Sequence, residues 1–93
     1  MPYEVIYSDE AVEQLKKLRA FDRAAILDQI VQILMVNPTL ESKGRVKLLR
    51  QPAPTQYRLR VGEFRVFYDV EEATVFIIQI LSKEESIAFL EEQ

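Results

Sequence analysis

Ninety-three residues make one small domain, and at that size folding hides only ~60 to 65% of the surface the unfolded chain exposes, so one modest core is the limit. A composition that is 48% hydrophobic with two glycines argues against disorder, and the lack of cysteine and histidine excludes disulfide staples, thiolate metal sites and Ser-His or Cys-His catalysis. The net charge of −3 is unevenly spread: residues 43–65 carry seven basic side chains against one acid, Glu63, and the remainder five against fourteen, which implies an electropositive site on an otherwise negative surface.

No GxGxxG, Walker-type GxxxxGK[ST] or HExxH pattern occurs, and two isolated glycines cannot build a phosphate-cradling loop. Neither a metal nor a cofactor is expected. The N-terminal residues lack a basic stretch followed by an apolar run, and no run of about 18 apolar residues occurs. The expectation is a soluble, unexported cytoplasmic protein with no membrane partner.

Tyr3 to Tyr7 is aromatic and β-branched and reads as a strand, after which Ser8, Asp9 and Glu10 form an N-cap with acids in a first helical turn. Ala11, Val12, Leu15 and Leu18 then follow helical spacing. A second, wider apolar arc (Phe21, Ala25, Ile26, Leu27, Ile30, Val31, Ile33, Leu34) ends before Asn37-Pro38, where the residue preceding proline disfavours helix. Two antiparallel helices are predicted, whose apolar stripes are more often core than partner-binding grooves. Residues 37–55 form a basic connector holding a short ordered piece at Val46 to Leu49.

Three strands are predicted next: Gln56 to Val61, Phe64 to Val70 and Thr74 to Leu81. The last is nearly all apolar, as a central strand covered on both faces would be. Ser82-Lys83-Glu84-Glu85 fits a capping box, and Ile87, Ala88 and Leu90 supply the apolar stripe of a short C-terminal helix. The fold class is α+β: a strand, a helical hairpin, a three-stranded antiparallel meander completing a small twisted sheet, and a C-terminal helix, all in one domain over residues 1–93.

Gly62-Glu63 separates two alternating runs, and glycine at the first central position suits a two-residue type II′ turn. Closure by Val61 and Phe64 sets Arg60 opposite Arg65, Leu59 opposite Val66, Arg58 opposite Phe67 and Tyr57 opposite Tyr68. Tyr57, Leu59, Val61, Phe64, Val66 and Tyr68 then form a core face. Arg58, Arg60 and Arg65 share the other face with Gln56, Phe67 and Asp69. Two readings of that face stay open: a solvated surface paired to Asp69, Glu71 or Glu72, or an anion site in which guanidinium groups grip phosphate and Phe67 stacks a base.

The stretch Tyr57-Arg-Leu-Arg-Val-Gly-Glu-Phe-Arg-Val-Phe-Tyr68, with Val46-Lys47-Leu48-Leu49 before it, resembles the "yRlRvGdyRviY" hairpin and "vkkL" connector of the RelE/ParE toxin superfamily of type II toxin–antitoxin systems. The order of elements agrees over nearly the whole chain. The resemblance implies a ribosome-dependent mRNA endoribonuclease that needs no metal, or alternatively a DNA gyrase inhibitor or a degenerate toxin acting by protein binding, in each case neutralised by a cognate antitoxin. It places Arg58, Arg60 and Arg65 on the RNA backbone, and Arg65, Arg60 and Lys83 at the catalytic positions; Lys47 and Lys43 on the basic connector are further candidates for binding RNA. Where many members carry a tyrosine after the last strand, this chain has Ile87. Arginine holds its proton far above neutrality, so Glu63, Lys47, Lys43 and Lys83 are the candidates for proton transfer.

Overall fold

The computed structural model describes residues 2–91. Its strands are β1 (Glu4–Tyr7), β2 (Val46–Leu48), β3 (Tyr57–Val61), β4 (Phe64–Glu71) and β5 (Thr74–Ser82), and its helices α1 (Asp9–Lys17), α2 (Ala20–Gln29) and α3 (Lys83–Glu91). The strands form one sheet in the order β1-β5-β4-β3-β2, antiparallel except that β1 runs parallel to β5. The connector piece at 46–48 is thus a fifth strand, not a stray ordered segment.

Ser8 begins α1 as its composition predicts. Its hydroxyl accepts from Ala11 N (3.0 Å) and donates to Ile78 O (2.7 Å). Gln14 completes the attachment of α1 to β5, its Oε1 accepting from Ile80 N (2.6 Å) and its Nε2 donating to Gln79 Oε1 (2.5 Å). Beyond Tyr7 the edge of β5 has no strand beside it, and these side chains satisfy backbone groups that would otherwise lack partners. Only Leu18 and Arg19 separate the two helices, and Arg23 Nη1 closes the junction by donating to Leu15 O (3.2 Å) and Leu18 O (3.1 Å). From Ile30 to Leu34 the second helix widens into a π-turn before Asn37-Pro38.

The core lies between these helices and one face of the sheet. Ala11, Ile26, Ile30 and Leu34 meet Leu59, Val66, Tyr68, Val75 and Ile77, all fully buried, and each large apolar side chain so removed from water contributes ~1.5 to 3 kcal/mol. The apolar arc of α2 is narrower than its sequence suggests, since Phe21 is 81% and Val31 55% exposed. Both stand on the side of the helix turned from the sheet, where there is no second layer to cover them.

The capping box at the start of α3 forms as predicted: Glu85 N donates to Ser82 Oγ (3.1 Å) and Ser82 N to Glu85 Oε1 (2.9 Å). The apolar stripe of α3 does not form its inward side. Ile87, Ala88 and Leu90 face solvent, while Ser86 is buried and Phe89 half-buried. Phe89 determines the facing, because its ring meets Phe67 edge-on at 5.0 Å. None of the described helices is long and apolar enough to cross a membrane.

Candidate polyanion-binding face

The β3–β4 hairpin pairs residue for residue as its alternation requires, with Arg60 opposite Arg65 and Arg58 opposite Phe67. Gly62 carries the left-handed φ of +55° that the turn needs and an L side chain resists. Leu59 and Val66 point into the core, so the arginines occupy the opposite face. β2 adds to them, because Lys47 lies directly opposite Arg58.

The three guanidinium groups sit at different depths. Arg60 is exposed, Arg58 half-buried, and Arg65 only 9% exposed. Arg65 Nη1 donates to Gly62 O and Phe64 O, both at 3.0 Å, and so braces the turn that presents its neighbours. Arg58 Nε is buried with no hydrogen-bond acceptor, an orphaned donor of the kind that folded proteins seldom leave. Burial, then the charges of Arg65 and Arg60, hold the Arg58 guanidinium below its ordinary pKa. Burial and Arg60 do the same to Arg65, opposed by Glu63.

Among the described residues no carboxylate forms an ion pair with Arg58, Arg60 or Arg65, and Glu63 at the turn only partly offsets the repulsion on Arg65. The ion pairs among the described residues are Lys16–Glu13 and Arg19–Asp22, both within the helical hairpin. Asp69, a sequence candidate for pairing, instead accepts from Gln56 N through Oδ1 (2.7 Å). A concentrated positive field whose arginines have no ion-paired acid among the described residues can bind an external anion, and planar guanidinium groups bind phosphate bidentately.

The remaining candidates divide. Lys43, Lys47 and Arg58 line one shallow hollow of about 330 Å³, so the structure brings both lysines to the arginine face. Phe67 does not offer a ring to a base. It is fully buried, because α3 crosses the face there and Phe89 packs against it. Lys83 is the first residue of α3, and its side chain is exposed while its N–H donates to Glu63 O (2.8 Å). Glu63 is exposed at the turn, and Ile87 faces outward at 54% exposure. Tyr68 is buried, donating to Pro38 O (2.6 Å), and its ring stacks on half-buried Tyr57 at 5.5 Å. Arg45 was not singled out in the sequence, and its proximity depends on a pairing no local signal marks: Arg60 N donates to Arg45 O (2.9 Å).

A five-stranded sheet with a helical pair packed on one face is a fold this chain shares with RelE toxins. Three solved structures share it. The chain is similar to a chain of the toxin–antitoxin complex RelBE2 of Mycobacterium tuberculosis, at 25% identity over 88% of this chain and 99% of that one (TM-score 0.72). It is similar to a double mutant of the E. coli toxin RelE in the free state, at 21% identity over 99% and 97% (TM-score 0.73). It also resembles a chain of the archaeal RelE–RelB complex of Pyrococcus horikoshii, at 24% identity over 89% and 97% (TM-score 0.64). A comparison with curated proteins gave no match. The family model for the ParE toxin of the type II toxin–antitoxin system parDE matches residues 5–87, and the chain belongs to this family, within the RelE/ParE superfamily.

Proposed function

We propose that this toxin is a ribosome-dependent mRNA endoribonuclease that inhibits translation, binding RNA on its arginine face. The observation that carries the reading is the cluster of Arg58, Arg60 and Arg65 with no ion-paired carboxylate among the described residues and with Arg58 Nε unsatisfied. In cleavage the RNA 2′-oxygen attacks the adjacent phosphorus, the 5′-oxygen leaves, and the guanidinium groups stabilise the extra negative charge on the phosphate. The proton lost by the 2′-hydroxyl and the one gained by the leaving oxygen fall to the exposed groups at the rim, Glu63, Lys43, Lys47 and Lys83.

The same cluster suits a protein partner that carries acids. The M. tuberculosis and P. horikoshii relatives were solved as complexes with antitoxins, and a cognate antitoxin here would set carboxylates against Arg58, Arg60 and Arg65. Neutralisation is then competition with RNA for one face.

A second reading, gyrase inhibition by protein binding, is favoured by Phe67, which is covered and cannot stack a base, and by Ile87 in place of a titratable side chain. Expression from a tightly controlled promoter separates the two. Primer extension should show cleaved transcripts at growth arrest; intact transcripts with gyrase-linked DNA damage would establish the second reading instead.

A further inference from the structure

We propose that the groove between α2 and the β3–β4 hairpin is a second nucleotide site, which accepts a base bearing an exocyclic amino group. The inference rests on the RNA-binding reading of the arginine face and concerns the nucleotide next to the one held there. The groove is about 460 Å³, within the ~300 to 1,000 Å³ range of small-ligand sites. Asp28 and Gln29 line it from α2, Gly44 and Arg45 from the connector, and Arg60 and Gly62 from the hairpin.

Its polar groups are ordered yet under-used. Arg45 Nη1 donates to Gln29 Oε1 (2.8 Å), which fixes both side chains and leaves the amide nitrogen and the other guanidinium N–H groups as donors. Asp28 meets only Gln32 Nε2, at 3.2 and 3.5 Å from its two oxygens, and pairs with no cation among the described residues. The strand ladder is also left half-made here. Arg60 N donates to Arg45 O, but Arg45 N turns back to Ser42 O (3.0 Å) instead of to Arg60. Gly44 and Gly62 leave the walls open, with no atom within 4 Å of where a Cβ would stand.

Two guanidinium groups and one carboxylate make an awkward site for phosphate alone, because Asp28 would repel it. They suit a ligand that carries an anion and a hydrogen-bond donor at separate places. A nucleotide does so: Arg45 and Arg60 take the phosphate, and Asp28 accepts from the base. Adenine, cytosine and guanine each present an exocyclic amino group, whereas uracil has none. Arg60 borders both this groove and the arginine face, so one RNA strand can occupy the two in succession.

The test uses the full chain and uncleavable 2′-O-methyl trinucleotides of adenosine, cytidine or uridine, with affinity read by fluorescence anisotropy. The adenosine and cytidine trimers should bind at least about fivefold tighter than the uridine trimer, the low end of what a base-edge contact confers. Asp28→Ala should bring that ratio near one without weakening the uridine trimer. Arg45→Ala should weaken all three alike and lower the salt slope by about 0.7, the value for one phosphate contact on a single strand. Asp28 and Arg45 are exposed, so both variants should fold, which a thermal melt checks. A wild-type protein without base preference, or a preference that survives Asp28→Ala, overturns the proposal. Arg58→Ala keeps the two readings apart. If it abolishes binding while Asp28→Ala changes nothing, only the groove is refuted; if no trimer binds the wild type, both readings fall.

Discussion

Arg60 and Arg65 stand opposite each other across the β3–β4 ladder with no acid paired to either among the described residues. Opposed like charges destabilise a sheet by roughly 0.2 to 1 kcal/mol, so the chain keeps this pair at some expense of stability. Arg60→Gln is therefore expected to raise the unfolding free energy in urea by about 0.5 kcal/mol. The same variant should bind RNA oligonucleotides more weakly, with a salt slope smaller by about 0.7. Salt dependence identical to wild type would show that Arg60 contacts no phosphate.

A different strain lies at the turn between β4 and β5. Glu72 has a φ of +54°, the only left-handed non-glycine residue among those described, at a position that costs an L side chain roughly 1 to 2 kcal/mol. Glu72→Gly relieves that conflict but frees the unfolded chain, and the net expectation is a gain of up to about 1 kcal/mol by denaturant titration. The site is exposed and remote from the arginines, so RNA affinity should not change.

These two turns show why some elements were legible in the sequence. Gly62 separates two alternating runs by a two-residue turn, so register, facing and core residues of 57–68 all follow from counting. Ser82 and Glu85 announce their helix start through chemistry confined to four residues. β2 offers no such signal. It has three residues, with Lys47 in the middle, and is a strand only because β3 supplies its partners. Glu41 and Ser42 close its outer edge, accepting from Leu48 N (2.9 Å) and Val46 N (3.3 Å), contacts that depend on the fold. Phe67 shows a further limit, since alternation assigns a residue to a face but does not say whether another element covers that face. The same blind spot hid Phe89, which anchors α3 in place of the stripe of Ile87, Ala88 and Leu90.

Ser8 links the N-cap of α1 to β5 through one hydroxyl. Ser8→Ala removes a cap and leaves Ile78 O without that donor, so a loss of about 1 to 2 kcal/mol is expected. Ser8→Thr keeps the hydroxyl and should restore most of it. Equal losses in both variants would mean that packing, not hydrogen bonding, decides the site.

Burial, with Tyr57 beside it, pushes the Tyr68 phenol well above its ordinary value, and burial raises Tyr7 in the same direction. Above a pH of about 10 the unfolded chain releases these protons while the folded chain retains them. The contribution of these two groups is therefore constant below that pH and falls above it, by at most about 1.4 kcal/mol per pH unit for Tyr68. Tyr68→Phe should flatten the alkaline limb of the stability profile. At neutral pH it should cost about 1 to 3 kcal/mol, because Pro38 O loses its buried donor. An alkaline slope unchanged by the substitution would assign the lost protons to other groups.

Phe89 and Phe67 meet edge-on across the interface of α3 with the sheet, a geometry that adds roughly 0.5 to 1.5 kcal/mol to the burial itself. Phe89→Ala is expected to cost about 2 kcal/mol, below the value for a fully buried phenylalanine because the side chain is only half-buried. The loss should be local. In hydrogen exchange the α3 amides should open faster while those of β3 and the helical pair keep their protection, since the capping box at Ser82 holds only the first turn. Ile87→Ser, two residues earlier on the outward side, should leave that exchange unchanged. If Ile87→Ser loosens α3 as much as Phe89→Ala does, the helix is held by its outer stripe and its facing is the reverse of the one described.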